Sequence, residues 1–171
     1  MAFKLSAQLD QLGNPNLAFE LYESYIDHNK WRFPESALEV IAHPDWKAGS
    51  QSKAPYYSNL DSFEVKSLGS SNAELALKLV KEMYVETPFN ILITYKGLFD
   101  LELPSTPGFS EEPMTWRYEQ FLYFDAYHQY KIKDKLFTHQ IEWTNGRIWS
   151  ITARDIHVER QEIISKSPLG S

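Results

Sequence analysis

Hydrophobic and polar positions follow two different periods along this chain, and the change of period divides it into a helical front and a stranded remainder. Leu17, Leu21 and Tyr25 recur every four residues, with Ala18, Tyr22 and Ile26 beside them and Glu20, Glu23 and Asp27 on the other side. That spacing predicts an amphipathic helix of about 13–15 residues. Asn14-Pro15 supplies its start, with Asn as cap and Pro at the first helical position. A second helix begins at Phe33-Pro34-Glu35, with Ala37, Leu38, Val40 and Ile41 as its apolar side. It must stop before Pro44, because the residue preceding a proline avoids the α region. Residues 45–60 carry Gly49, Pro55, scattered serines and Tyr56-Tyr57, and read as a long surface loop.

From Asp61 the period falls to two. Phe63 and Val65 alternate with Glu64 and Lys66. Residues 73–84 carry both signals: Ala73, Leu77, Val80 and Tyr84 fit a helical face, while Leu75, Leu77 and Leu79 fit a strand face. Propensity alone favours helix; the stranded surroundings favour strand, and strand is the reading adopted. Phe89–Tyr95 is a strand with Ile91, Ile93 and Tyr95 on one face, Gly97 allows a bend, and Phe99–Leu103 continues it. Pro104–Pro113 is a loop containing Glu111-Glu112. Trp116, Tyr118, Gln120, Leu122 and Phe124 then alternate with Arg117, Glu119, Phe121 and Tyr123, and Tyr127–Ile132 reads as a short strand.

Near the end, Asn145-Gly146 lies between Phe137–Trp143 and Arg147–Val158. Such a pair between aromatic and β-branched residues is a two-residue hairpin signal, since both turn positions need positive φ. With that turn, His139 falls opposite Thr152, Glu142 opposite Trp149 and Arg147 opposite Thr144. The expected fold is α+β: two N-terminal helices followed by a mainly antiparallel β-sheet or two-layer β-sandwich, ending in a β-hairpin. One globular domain over residues 1–166 is expected, with helices at about 15–43, a β-rich part at about 61–160 and a flexible tail at 167–171.

The chain has 171 residues, 43% of them hydrophobic and 15% aromatic, which supplies a core and excludes disorder as the overall state. Zero cysteines exclude disulfides, thiolate metal sites and cysteine nucleophiles. The net charge of −6, most of it in the first third, disfavours nucleic acid and anionic membrane surfaces as partners. Met1–Gly13 lacks the apolar run of a secretory signal, and no stretch approaches the ~20 apolar residues of a membrane span, so the expected compartment is the cytoplasm.

Candidate chemistry is sparse. There is no glycine-rich phosphate loop, no G-x-S-x-G and no H-E-x-x-H. The five histidines are too far apart in sequence for a helical metal pair, so no metal and no cofactor is expected. Arg147, Arg154, Asp155 and Glu142 around the last turn read as cross-strand charge pairs.

Two segments carry a family likeness: Trp31–Val40, with its F-P-x-x-A-L-E pattern, and Phe137–Trp149, with its H-x-I-x-W-x-x-G run. Together they resemble small uncharacterised bacterial proteins, some of them similar to immunity proteins of polymorphic toxin systems. The resemblance implies a non-enzymatic cytoplasmic protein that docks on a basic toxin and blocks it; it supplies no catalytic residue. The expected contact residues are Glu20, Glu23, Asp27, Trp46, Tyr56 and Tyr57, carboxylates that steer and rings that hold. The alternative is a small-molecule or carbohydrate-binding protein, or a weak hydrolase, using Trp116, Arg117, Glu119 and His139 in a sheet-lined cleft. A flat acidic patch with exposed rings would favour the first reading, a deep pocket with converging polar groups the second.

Overall fold

The computed structural model describes residues 15–46, 53–67, 72–104 and 114–163. The Asn14 cap, the Glu111-Glu112 loop and the tail at 167–171 lie outside the described residues. Helix α1 spans Pro15–Asn29 and helix α2 Glu35–Ala42, each where its apolar spacing predicts it. Short 3-10 turns at Lys30–Arg32 and Pro44–Trp46 follow them. The strands are β1 (Asn59–Ser67), β2 (Ala73–Lys81), β3 (Phe89–Glu102), β4 (Trp116–Phe124), β5 (Leu136–Trp143) and β6 (Ile148–Glu162). They form one six-stranded antiparallel sheet in the order β1-β2-β3-β6-β5-β4. The architecture is α+β.

The ambiguous segment at 73–84 is strand β2. Leu75, Leu77 and Leu79 are all buried while Ala76, Lys78 and Val80 are half-buried, the one-in-one-out burial of a half-covered sheet. Burial thereby outweighs the helix-forming composition. The buried face runs from β2 to β4, from those leucines through Ile91, Ile93 and Tyr95 to Ile151, His139 and Phe121.

Two expectations change at turns. Tyr127–Ile132, expected as a strand, is mostly occupied by a single helical turn, α3 (Ala126–Tyr130). Asp125 caps it by accepting from the His128 N–H at 3.3 Å, and Lys131 ends it at φ 57°. Between β5 and β6 the Gly146 N–H donates to the Trp143 carbonyl, and the Trp143 N–H donates to the Arg147 carbonyl, both at 2.9 Å. Thr144 and Asn145 therefore form the turn and Gly146 follows at φ 82°, giving a three-residue connection rather than a two-residue one. The register moves by one residue: His139 lies opposite Ile151 and Glu142 opposite Ile148.

A bulge between Trp116 and Tyr118 shifts the phase of β4. Trp116 thereby joins Glu119 and Phe121 among the fully or nearly fully buried residues, although simple alternation puts it on the other face.

The sheet curls until its two outer strands meet at one end. Asn59 bridges Thr115; the Leu60 N–H donates to the Met114 carbonyl at 2.9 Å and the Trp116 N–H to the Ser58 carbonyl at 2.8 Å. Farther along, α1 covers the exposed rim of β4. The Phe121 N–H donates to the Tyr22 hydroxyl at 2.7 Å, and the Tyr123 N–H to the Tyr25 hydroxyl at 3.2 Å. Helix α2 docks on β6 through Ser36, whose hydroxyl accepts from the Ile156 N–H and donates to the Asp155 carboxylate, both at 3.2 Å.

Candidate functional site

The two helices, the Pro44–Trp46 turn and β4 leave a cleft of about 700 Å³ between them. That is within the size range of ligand pockets, roughly 300–1,000 Å³. Its walls are mostly apolar. Phe19, Tyr22 and Ile26 come from α1, Leu38 and Ile41 from α2, and Trp46 and Tyr56 from the connection to the sheet. Glu119 and Phe121 line it from β4.

Glu119 is 6% exposed and is held by two donors. The Trp46 indole N–H donates to Oε1 at 2.8 Å, and His139 Nε2 lies 2.7 Å from Oε2. The other ring nitrogen of His139, Nδ1, is 2.7 Å from the Tyr95 hydroxyl. The result is a buried line, Tyr95–His139–Glu119–Trp46, drawn from β3, β5, β4 and the turn after α2. Phe121 lies flat against the imidazole.

Hydrogen-bond matching favours one wiring of this line. With the imidazole neutral, the Tyr95 O–H donates to Nδ1 and the Nε2–H donates to the carboxylate, so every proton has one acceptor. With an imidazolium, both ring N–H groups would donate, and the Tyr95 proton would need an acceptor that the described residues do not offer. Burial, with a smaller contribution from the Glu119 charge, holds the Tyr95 hydroxyl well above its ordinary range, which keeps that proton in place. The same two causes in the same order raise Tyr56 and Tyr22; at Tyr22 the Phe121 N–H pulls weakly the other way. Glu119 is the member of this line, with Trp46, that also lines the cleft. Among the described residues, no Lys or Arg lies within ion-pairing distance of it.

The structure brings three residues of the expected alternative cleft together: Trp116, Glu119 and His139 are all buried in one cluster, with the Trp116 and His139 ring centroids 5.5 Å apart. Arg117 does not join them. It is exposed on the other side of β4, lies over the Tyr118 ring and approaches Glu142 at 4.0 Å. Of the expected contact surface, Glu20, Glu23 and Asp27 are exposed on α1, and Glu23 and Asp27 stand at the mouth of the cleft. Trp46 and Tyr56 depart from the exposure expected of them: both are buried, Trp46 because its indole N–H reaches Glu119. Tyr57 is exposed, at φ 65°, and packs on Tyr84 rather than on the acidic face.

Sequence reasoning passes over Tyr22, Tyr95 and Phe121. Their signal is a carboxylate at position 119 inside an aromatic strand, which places a charge on a buried face and requires partners for it. Among the described residues, no group of three or more His, Asp and Glu could hold a metal ion, and no helix is long and apolar enough to cross a membrane. No family model matches the chain, and neither the curated proteins nor the solved structures give a significant match.

Proposed function

We propose that this protein binds an amphipathic small molecule in the cleft between its helices and β4. The observation that carries this reading is the Glu119 carboxylate on the wall of an apolar cleft of about 700 Å³, fixed by Trp46 and His139. Apolar walls bury the body of a ligand, and a few fixed polar groups orient it. Both Glu119 oxygens already accept one hydrogen bond, and each retains a second lone pair.

A thermal-shift screen of amphipathic small molecules tests the reading, because a ligand that binds only the folded chain raises Tm with concentration. Ala42 lines the cleft from an exposed position on α2, so Ala42→Trp fills the space without entering the core. Stabilisation of the parent chain that disappears in Ala42→Trp supports the proposal. No stabilising compound, or equal stabilisation of both chains, overturns it.

The acidic face of α1 supports a second reading, docking on a basic protein such as a toxin. Glu20, Glu23 and Asp27 lie exposed on one stretch of helix; among the described residues only Asp27 of the three is ion-paired, to Lys30 at 3.0 Å. Electrostatic steering would dominate such an encounter, since Trp46 and Tyr56 are buried. Pull-down with a basic partner at low salt tests it, and loss of capture in a Glu20→Gln/Glu23→Gln/Asp27→Asn chain is the expected result.

A further inference from the structure

We infer that the ligand of this cleft is an organic ammonium ion, seated in a cage of aromatic rings with its charge against Glu119. The inference rests on the small-molecule reading above and specifies the chemical class that the site selects.

Five aromatic side chains line the cleft: Phe19, Tyr22, Trp46, Tyr56 and Phe121. Ring faces carry negative potential and attract cations, most strongly where the cation is already stripped of water. A buried carboxylate without a cationic partner is costly, and proteins compensate such charges by pairing them. Glu119 is 6% exposed, accepts from the Trp46 indole, contacts the His139 ring, and has no Lys or Arg among the described residues within ion-pairing distance. The missing counter-charge is the one that a ligand would bring.

The charges that line the cleft are mostly negative. Glu23 and Asp27 come from α1, Glu119 from β4 and Lys30 from the turn after α1; Lys30 is paired with Asp27. The lining is therefore net negative. An anionic ligand would meet repulsion at the mouth and again at the floor. A sugar would need several donors and acceptors along its length, whereas this lining is predominantly apolar. The raised tyrosine hydroxyls at Tyr22 and Tyr56 stay neutral, so they present aromatic faces and dipoles without adding charge.

The test uses a matched pair of probes: benzyltrimethylammonium and neopentylbenzene, which share shape and differ in charge. Binding to the full chain is followed by saturation-transfer NMR and by tryptophan emission. The expected result is at least about tenfold tighter binding of the cation. Glu119→Gln should then weaken the cation by about tenfold or more and leave the neutral probe within about twofold. Should that variant fail to fold, the rim variant Glu23→Gln/Asp27→Asn lies on an exposed helix surface and should weaken the cation alone. Equal or tighter binding of neopentylbenzene to the parent chain overturns the ammonium assignment and leaves the cleft standing as a binding site. Binding of neither probe, together with a thermal-shift screen that finds no ligand, overturns both.

Discussion

The imidazole of His139 and the ring of Phe121 are stacked nearly parallel, with centroids 4.0 Å apart and planes 7° apart. They sit directly opposite each other on β5 and β4. The stack fixes the plane of the imidazole, and that plane aims one nitrogen at Glu119 and the other at Tyr95. Removing the histidine therefore unpairs two buried groups at once. His139→Leu should lower stability by about 3–5 kcal/mol, the range found when one partner of a buried pair is deleted. The double variant His139→Leu/Glu119→Leu should recover part of that loss, because no buried charge remains. Urea unfolding of the three chains measures the difference, and equal midpoints for the single and double variants would contradict the pairing.

Lys81 has a different relation to its surroundings. It is fully buried at the end of β2, and its ammonium donates to the Ala54 carbonyl at 2.7 Å. Burial, aided by the charge of Arg160, pushes it down to about 8 from its ordinary 10.5. The unfolded chain then binds more protons than the folded chain between those two values, so stability should rise with pH across that window. The rise should be on the order of 1–3 kcal/mol. Tyr22, Tyr56 and Tyr95 work in the opposite sense: raised in the folded chain, they favour unfolding once free tyrosines ionise above about 10. Stability should therefore peak near the upper end of the lysine window. Denaturant midpoints measured across alkaline pH report this, and Lys81→Met should flatten the rising limb.

Ser36 joins α2 to β6, and its removal should loosen that contact. Ser36→Ala leaves the buried Ile156 N–H without its acceptor and should cost about 1–3 kcal/mol. Hydrogen exchange at Ile156 should accelerate more than exchange at the sheet centre. Unchanged protection there would show that the hydroxyl does not hold the helix in place.

Two glycines at positive φ should respond differently to alanine. At Gly146, with φ 82° and open space around a new Cβ, the cost is backbone strain alone, about 1–2 kcal/mol. At Gly97, with φ 63°, a Cβ would also lie 3.0 Å from the Arg154 side chain, so the loss should be larger. Gly146→Asn should cost less than Gly146→Ala, since asparagine tolerates this conformation better. Thermal unfolding of the three variants ranks them.

Much of the fold was legible because it is local. The four-residue recurrence of Leu17, Leu21 and Tyr25 marks α1, and the alternation of Leu75, Leu77 and Leu79 marks β2. Single-residue events were not legible. The Trp116/Tyr118 bulge and the Gly146 turn each change the phase of a strand, and neither alters the composition that periodicity reads. The Asp125 cap that makes residues 126–130 helical is likewise one hydrogen bond in an aromatic stretch. The site was partly legible: Glu119 lines the cleft with His139 behind it, Trp116 packs on that imidazole in the core, and Arg117 lies exposed away from them. Its remaining members come from elements remote in sequence. Tyr95 reaches His139 across 44 residues, and Trp46 reaches Glu119 across 73. Such pairings depend on strand order and curl, which no local pattern encodes.

The meeting of Asn59 with Thr115 also bears on how copies of this chain behave toward one another. An open sheet offers two ladders of unused amide groups, each a template onto which another molecule's strand can zip. Here one end of both ladders is spent on the other, and the tyrosine hydroxyls of α1 occupy two amides farther along β4. Concentrated solutions of the intact fold should thus resist fibril growth, and severing this clasp would give nucleation its starting point.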